Sequence, residues 1–164
     1  MKTMPKQIIA LILTGVILTG CIGTLTGGDD DSTSDATPEP TPTTTWFNET
    51  FVFENAMAMG HMTTHDYNMT VNTTMHMTWD ISCRFQQPLV GNAGYVNITL
   101  EQGGEPIVSE QYTSLETEDF TLHWNESNIS GDDFTLVIMA EGSDHTISGG
   151  MQDYYILETT IEYI

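Results

Sequence analysis

The stretch YNMTVNTTMHMTWDISC, residues 67–83, alternates large apolar side chains with polar ones. The apolar series begins at Tyr67 and follows the odd positions to Cys83, with Thr73 as its one exception, and the even positions are all polar. Successive side chains of a β-strand point to opposite faces, whereas a helix repeats every 3.6 residues. The stretch therefore predicts extended chain with one buried face.

The same period of two recurs in the rest of the chain. Alternating segments cover residues 95–101, 107–112, 120–125, 134–140 and 154–163, and they are separated by glycine-containing turns at Gly103-Gly104 and Gly131 and by a polar stretch over residues 141–150. No segment has the spacing of an amphipathic helix. Seven or eight short antiparallel strands predict an all-β fold, an antiparallel β-sandwich of either immunoglobulin-like or jelly-roll-like topology.

The pattern also suggests a local pairing. Apolar residues at odd positions continue upstream of Tyr67, through Phe51, Phe53, Met57 and Met59. A turn at residues 63–66 would fold residues 51–61 against residues 67–79 as one long hairpin. We therefore expect Met59 to face Met69, with two histidines near the turn.

The N-terminal segment has three parts in a fixed order. Lys2 and Lys6 are followed by an almost wholly apolar stretch at residues 8–18 and then by Leu18-Thr19-Gly20-Cys21. The apolar stretch is too short for a transmembrane helix, which needs about 20 residues, and it has the length of a signal-peptide core. These residues resemble the signal peptide and lipobox of bacterial and archaeal lipoproteins.

The resemblance implies that residues 1–20 are removed and that the thiol of Cys21 carries a lipid. The expected location is then the cell membrane, lipid-anchored on its extracytoplasmic face. Residues 21–45 are rich in Thr, Pro and Asp and poor in apolar residues, which predicts a disordered linker. Residues 46–164 remain as one β-sandwich domain, long enough for a single core.

The charge of the chain is strongly acidic. It has 23 Asp and Glu against three Lys and Arg, and the formal net charge is −20. Two of the three cations precede Cys21, which leaves Arg84 as the only basic side chain of the predicted mature protein. Because nucleic-acid binding depends on Lys and Arg at phosphates, we expect no nucleic-acid partner.

The second cysteine, Cys83, has no partner once Cys21 carries a lipid, so no internal disulfide is expected. Cys83 shares the apolar face of Trp79 and Ile81, which predicts a buried, unreactive thiol.

Methionine and histidine are concentrated over residues 57–77. Thioether sulfur suits Cu(I), and imidazole suits copper and zinc. In the predicted hairpin, a copper site would take its ligands from Met59, His61, His65 and Met69. The competing interpretation is packing, because odd-numbered methionines fall where core residues are expected.

Six Asn-x-Ser/Thr triplets are candidate N-glycosylation sites. Such triplets arise by chance in a chain rich in Asn and Thr, and the modification requires surface exposure. The six asparagines are Asn48, Asn68, Asn72, Asn97, Asn125 and Asn128.

No enzyme motif is found: Gly-x-Ser-x-Gly, His-Glu-x-x-His and the phosphate loop are all missing from the sequence. Ser143-Asp144-His145 joins three triad residue types, but triad members come from distant positions. We expect a non-enzymatic envelope module that binds a surface protein or polysaccharide, through an edge strand or the loops at residues 143–150 and 86–94. The alternatives are a copper carrier and an accessory subunit of a membrane complex.

Overall fold

The computed structural model describes residues 38–87 and 92–164. Over these residues the chain forms eight β-strands and one short 3₁₀ helix, Thr146–Ser148. No helix in the described ranges is both long and apolar enough to cross a membrane. The strands are β1 Thr43–Val52, β2 Met59–Tyr67, β3 Thr74–Arg84, β4 Tyr95–Gln102, β5 Glu105–Tyr112, β6 Glu118–Ser127, β7 Phe134–Gly142 and β8 Tyr154–Tyr163.

The strands form two antiparallel four-stranded sheets that pack face to face, as the alternation predicts. Sheet A has the order β1-β8-β3-β6, and sheet B has the order β2-β7-β4-β5. Strand 1 therefore pairs with strand 8, 2 with 7, 3 with 6 and 4 with 5, which is the pattern of one long antiparallel ribbon wrapped into two sheets. This order is that of a jelly roll, so the structure decides between the two predicted topologies.

The core lies between the sheets and is built from the predicted apolar series. Trp79, Met77, Cys83 and Phe85 are completely buried on or just after β3, and β8 contributes alternate residues that are equally buried. β3 and β8 thus bury every second side chain against the opposite sheet, while the inward positions of β1 and β6 are half-buried. The residues of β4, β7 and β8 that belong to the core cluster are Val96, Ile98, Leu100, Phe134, Leu136, Ile138, Ala140, Tyr155, Leu157 and Ile161.

The predicted long hairpin is wrong. Residues 63–66 lie inside β2, which pairs with β7 along its whole length, while β1 pairs with β8. The alternation predicts extended chain correctly for β2 and β3, but residues 68–73 form a loop between them. Strands 1, 2 and 3 alternate between the two sheets instead of pairing with each other. The chain crosses from one sheet to the other through residues 53–58 and again through residues 68–73.

The first strand begins earlier than the sequence suggested. β1 starts at Thr43, within the segment assigned to the linker, because the β-branched residues Thr43, Thr44 and Thr45 pair with the end of β8. β1 therefore begins before Trp46, the predicted start of the domain. The predicted signal peptide, Cys21 and residues 21–37 of the predicted linker lie outside the described residues.

The strand register defines two ends of the sandwich. The end at which the chain enters β1 at Thr43, here the tether end, also holds residues 68–73, 103–104 and 128–133. The opposite end, here the far end, holds residues 53–58, 85–87, 92–94, 113–117 and 143–153. The tether end has one tight turn at Gly103 and Gly104, whose φ angles of 59° and 84° require the left-handed conformation that glycine tolerates.

The thiol of Cys83 is buried, as predicted, and its pKa is raised to about 11. Burial is the main cause, and the negative charges of Glu118 and Asp119 contribute. An unfolded thiol ionises near pH 8.5. Since the folded state keeps the thiol protonated while the unfolded state ionises it, this contribution to stability is lost as the pH rises from about 9 to 11.

We expect the stability of the wild type to fall more steeply than that of Cys83→Ala over this alkaline range. The measurement is urea unfolding followed by circular dichroism at about pH 7, 9 and 10.5. At neutral pH the free energy of unfolding of Cys83→Ala should be lower than that of the wild type, because the substitution leaves a cavity. The difference between the two free energies should become smaller as the pH rises. A gap that stays constant would show that the thiol does not titrate differently in the two states.

Candidate functional site

The far end carries most of the exposed apolar side chains. Ten large apolar side chains are exposed in the described ranges, and six of these belong to the far-end loops or to the strand residues that adjoin them. None of the ten lies on the three loops of the tether end. The four on the far-end loops are Met57 at 75%, Leu115 at 58%, Ile147 at 86% and Met151 at 52% exposure.

A buried carboxylate, Asp153, holds these loops in place. Its side chain is 1% exposed. Oδ1 accepts a hydrogen bond from the backbone N–H of Gln86 at 2.7 Å, and Oδ2 accepts one from the N–H of Ser143 at 2.9 Å. The backbone carbonyl of Asp153 accepts from Phe53 N–H at 2.9 Å. One residue thus joins three far-end loops, and the charged acceptor strengthens its bonds.

Further hydrogen bonds extend this arrangement to the fourth loop. Phe85 N–H donates to the carbonyl of Ser114 at 2.6 Å, and Asp144 N–H donates to the carbonyl of Asn55 at 2.7 Å. Gln86 Oε1 accepts from Met151 N–H at 3.1 Å. The loops are therefore fixed relative to one another, which lowers the entropy cost of binding through them.

Ser143, His145 and Asp153 meet in space, although Asp153 follows His145 by eight residues in sequence. His145 Nε2 lies 3.0 Å from Ser143 Oγ and 3.3 Å from Asp153 Oδ2. A catalytic triad needs the serine and the carboxylate on different ring nitrogens, so that the base can accept from one and donate to the other. Here both lie on the same nitrogen, and Ser143 is buried at 5% exposure. The cluster therefore has the geometry of a loop support.

Arg84, the only basic side chain in the described ranges, also belongs to the far end. Its guanidinium donates to the carbonyl of Gln152 at 2.5 Å and to the sulfur of Met151 at 3.4 Å. It lies 5.1 Å from the ring centroid of Tyr154, within cation–π range. Arg84 thereby holds Met151 at the surface.

The structure separates the four predicted copper ligands. Met59 and Tyr67 are the first and last residues of β2, about 26 Å apart along an extended strand, and Met69 lies beyond Tyr67. His61 and His65 are about 13 Å apart by the same measure. These four side chains cannot reach one ion, so the proposed site is not formed. Nor do the described residues contain any group of three or more His, Cys, Asp or Glu placed to hold a metal.

Each histidine of β2 is instead packed against β1 of the other sheet. His61 stacks on Phe51 with 3.6 Å between ring centroids, and its Nε2 is 3.0 Å from Glu49 Oε1. The hydroxyl of Tyr155 donates to the same carboxylate oxygen at 2.5 Å. His65 stacks on Phe47 at 4.5 Å. The two histidines thus join the edge strands of the two sheets.

Met69 is 4% exposed and belongs to the core cluster. We expect Met69→Ala to lower the free energy of unfolding by about 2–5 kcal/mol, as removal of a buried side chain does. Cu(I) affinity, measured by anaerobic competition titration on residues 38–164, should be equal for Met69→Ala and the wild type. A loss of tight copper binding in the variant would contradict the packing role.

The six candidate glycosylation asparagines are spread unevenly. Asn68 and Asn72 lie in the 68–73 loop and Asn128 in the 128–133 loop, so these three are at the tether end. Asn48 and Asn125 are exposed on the outer face of sheet A, and Asn97 is half-buried on the outer face of sheet B. None of the six lies on a far-end loop.

Sequence reasoning missed the two carboxylates that organise these contacts, Asp153 and Glu49. Asp153 follows a glycine-containing loop and has no motif around it. Glu49 had one usable signal, since it falls on the odd, inward positions of β1 between Phe47 and Phe51. A charged residue in an inward register predicts a buried partner.

No protein-family model and no curated protein matches this sequence. Among solved structures, the chain is similar to the VP2 subviral particle of infectious bursal disease virus, with a TM-score of 0.44 and 11% identity over 85% of this chain and 37% of that chain. A second similar structure is dimeric latent PorU from Porphyromonas gingivalis, with a TM-score of 0.33 and 9% identity over 72% of this chain and 13% of that one. The chain thus spans less than two-fifths of either protein, and likenesses of this size imply no function for it.

Proposed function

We propose that this protein is a lipid-anchored, extracytoplasmic binding module without enzymatic activity, and that it binds a surface protein or polysaccharide through its far end. One observation carries the proposal. The exposed apolar side chains Met57, Ile147 and Met151 are on braced loops at the end of the sandwich opposite to the point where the chain enters β1.

The position of these loops fits a protein that is held at its N-terminus. A lipid on Cys21 followed by a linker would lead into the domain at Thr43, and the far-end loops lie at the opposite end of β1 from this residue. Loops on a rigid scaffold are the usual place for recognition. Exposed methionine and isoleucine on fixed loops bury apolar area on binding at low entropy cost.

The charge of the domain restricts the partner. Arg84 is the only cation in the described ranges, and its guanidinium is already engaged by Gln152 and Tyr154. The acidic surface repels phosphate backbones, which supports a protein or a neutral or cationic polysaccharide in preference to nucleic acid.

The anchor is tested by Cys21→Ser in the organism that makes the protein. We expect the wild type in the membrane fraction, with a lipid on the peptide that begins at Cys21, and the variant unlipidated. Cys83→Ser is the matched control, because it removes the other cysteine and leaves the anchor. A Cys21→Ser protein that still carries lipid would rule out the lipobox.

The binding face is tested by a photo-crosslinking amino acid placed at Ile147 and, as a control, at Thr160. Both positions are exposed, but Thr160 lies on the outer face of sheet A. We expect a discrete crosslinked product from position 147 and none from position 160. Products from position 160 alone would place the binding face on the sheet, and an integral membrane protein as the product would support the role of accessory subunit.

A further inference from the structure

Two loops that are about 60 residues apart in sequence form one surface at the tether end. Val71 and Gly131 exchange two backbone hydrogen bonds of 2.8 and 2.9 Å, which pair the 68–73 loop with the 128–133 loop. The N–H of Asn128 also donates to the carbonyl of Thr73 at 2.8 Å. Three of the six Asn-x-Ser/Thr triplets are thereby brought side by side, at the end where the chain enters β1.

These three triplets present both of their polar side chains to solvent. In the first, Met69 is buried while Asn68 and Thr70 on either side of it are exposed. In the third, Ile129 is buried while Asn128 and Ser130 are exposed. The buried central residue fixes the loop with the asparagine and the hydroxyl residue directed outward. An enzyme that recognises the triplet needs access to both groups.

The second triplet has the same accessibility without a buried centre. Asn72, Thr73 and Thr74 are all exposed, and the backbone N–H groups of Asn72 and Thr73 are held by the carbonyl of Ile164 at 2.7 and 2.8 Å. The backbone of the loop is thus anchored while its side chains remain available.

The triplet at Asn97 differs from these three, because its polar side chains form hydrogen bonds within the sheet. Its Nδ2 donates to Thr99 Oγ1 at 3.4 Å, and its Oδ1 accepts from Ser109 Oγ at 3.4 Å. The hydroxyl of Thr99 is 2.7 Å from that of Ser109, and Thr99 is only 7% exposed. Both groups that a transferase must reach are therefore engaged within sheet B.

We infer that Asn68, Asn72 and Asn128 carry N-linked oligosaccharides and that Asn97 does not, an inference that rests on the export included in the proposed function. The sugar donor is an oligosaccharide joined through its anomeric carbon to a lipid phosphate. The carboxamide nitrogen forms the new bond to that carbon and gives up a proton, and the carbon–oxygen bond to the phosphate breaks with its electron pair leaving on the phosphate.

Oligosaccharides at these three positions would surround the tether end. Oligosaccharides on the paired 68–73 and 128–133 loops cover the end at which the linker joins the domain, while the far-end loops have no acceptor triplet. The sugar would shield the linker junction from proteases and keep the apolar far-end loops free for binding.

The test is site-resolved mass spectrometry of the protein purified from the membrane fraction of its own organism. Trypsin is unsuitable because Arg84 is the only basic residue after Lys6, whereas chymotrypsin cuts after Tyr67, Trp79, Tyr95 and Trp124 and so isolates the relevant peptides. Fragmentation that preserves the sugar assigns occupancy to each asparagine. We expect sugar at positions 68, 72 and 128 and an unmodified Asn97.

Variants that remove only the hydroxyl provide the control. Thr70→Ala, Thr74→Ala and Ser130→Ala should each reduce the mass of the intact protein by one oligosaccharide, while Thr99→Ala should change it only by the substitution and Thr70→Ser should keep the sugar. A lipidated, exported protein with the three sites bare, or with Asn97 occupied, would overturn this inference and leave the proposed function standing. Retention in the cytosol without lipid would overturn both.

Discussion

Trp79→Ala is expected to lower the free energy of unfolding by about 3–5 kcal/mol, one of the two largest effects of any single substitution in this domain. Trp79 is completely buried at the middle of β3, a central strand of sheet A that pairs with both β6 and β8. Its removal leaves a cavity between two sheets whose backbones are fixed by their ladders, so the surroundings cannot collapse to fill it.

Urea unfolding followed by circular dichroism measures this loss, and the chain offers a matched control. Trp46→Ala deletes the same side chain from a position that is 69% exposed on β1, and it should change stability by no more than about 0.5 kcal/mol. Trp79→Phe, which keeps most of the apolar volume, should fall between the two. Equal losses for Trp79→Ala and Trp46→Ala would show that the core is not centred on β3.

The alternation that surrounds Trp79 was sufficient to predict the fold class. Burial of every second residue is a local consequence of strand geometry, so β3 and the later strands could be assigned without knowledge of their partners. Pairing is not local in this way. In a jelly roll β1 pairs with β8, which is more than 100 residues away along the chain. The alternation within either strand does not predict which strand it pairs with.

The error in the metal site followed from the error in pairing. The predicted hairpin would have brought four ligands together, namely Met59, His61, His65 and Met69. In the structure three of them lie along β2, and Met69 lies beyond its end. The prediction that odd-numbered methionines pack in the core needed only their register. It is confirmed for Met69, Met75 and Met77 and is wrong for Met57 and Met59, which are exposed.

The far-end site shows the same division between local and non-local information. The loops at residues 143–150 and 86–94 could be proposed as a binding region because polar, glycine-containing segments between strands lie on surfaces. The fixed arrangement of these loops could not be predicted from the sequence. It depends on Asp153, whose partners Gln86 and Phe53 are distant in sequence. Residues 88–91 of the second loop lie outside the described ranges.

Asp153→Ala is expected to lower the free energy of unfolding by about 3–5 kcal/mol, because it leaves the backbone N–H groups of Gln86 and Ser143 buried beside an empty site and removes the partner of His145. Asp153→Asn should also be destabilising. Its carboxamide has one oxygen, so its NH₂ group would face one of two N–H donors that now bind a carboxylate. Asp132→Ala, at an exposed position of the tether end, is the matched control and should cost no more than about 0.5 kcal/mol.

Hydrogen exchange under native conditions separates a local role of Asp153 from a general loss of stability. If the carboxylate braces the far end, amides at Gln86, Ser143 and Phe53 should lose protection in Asp153→Asn, while those of β3 and β8 keep theirs relative to the global stability. A uniform loss across both sheets would assign Asp153 to the core and not to the far-end loops. Because the proposed binding surface depends on those loops being held together, the same variant should also lose the crosslinked product from position 147 at temperatures where the sandwich remains folded.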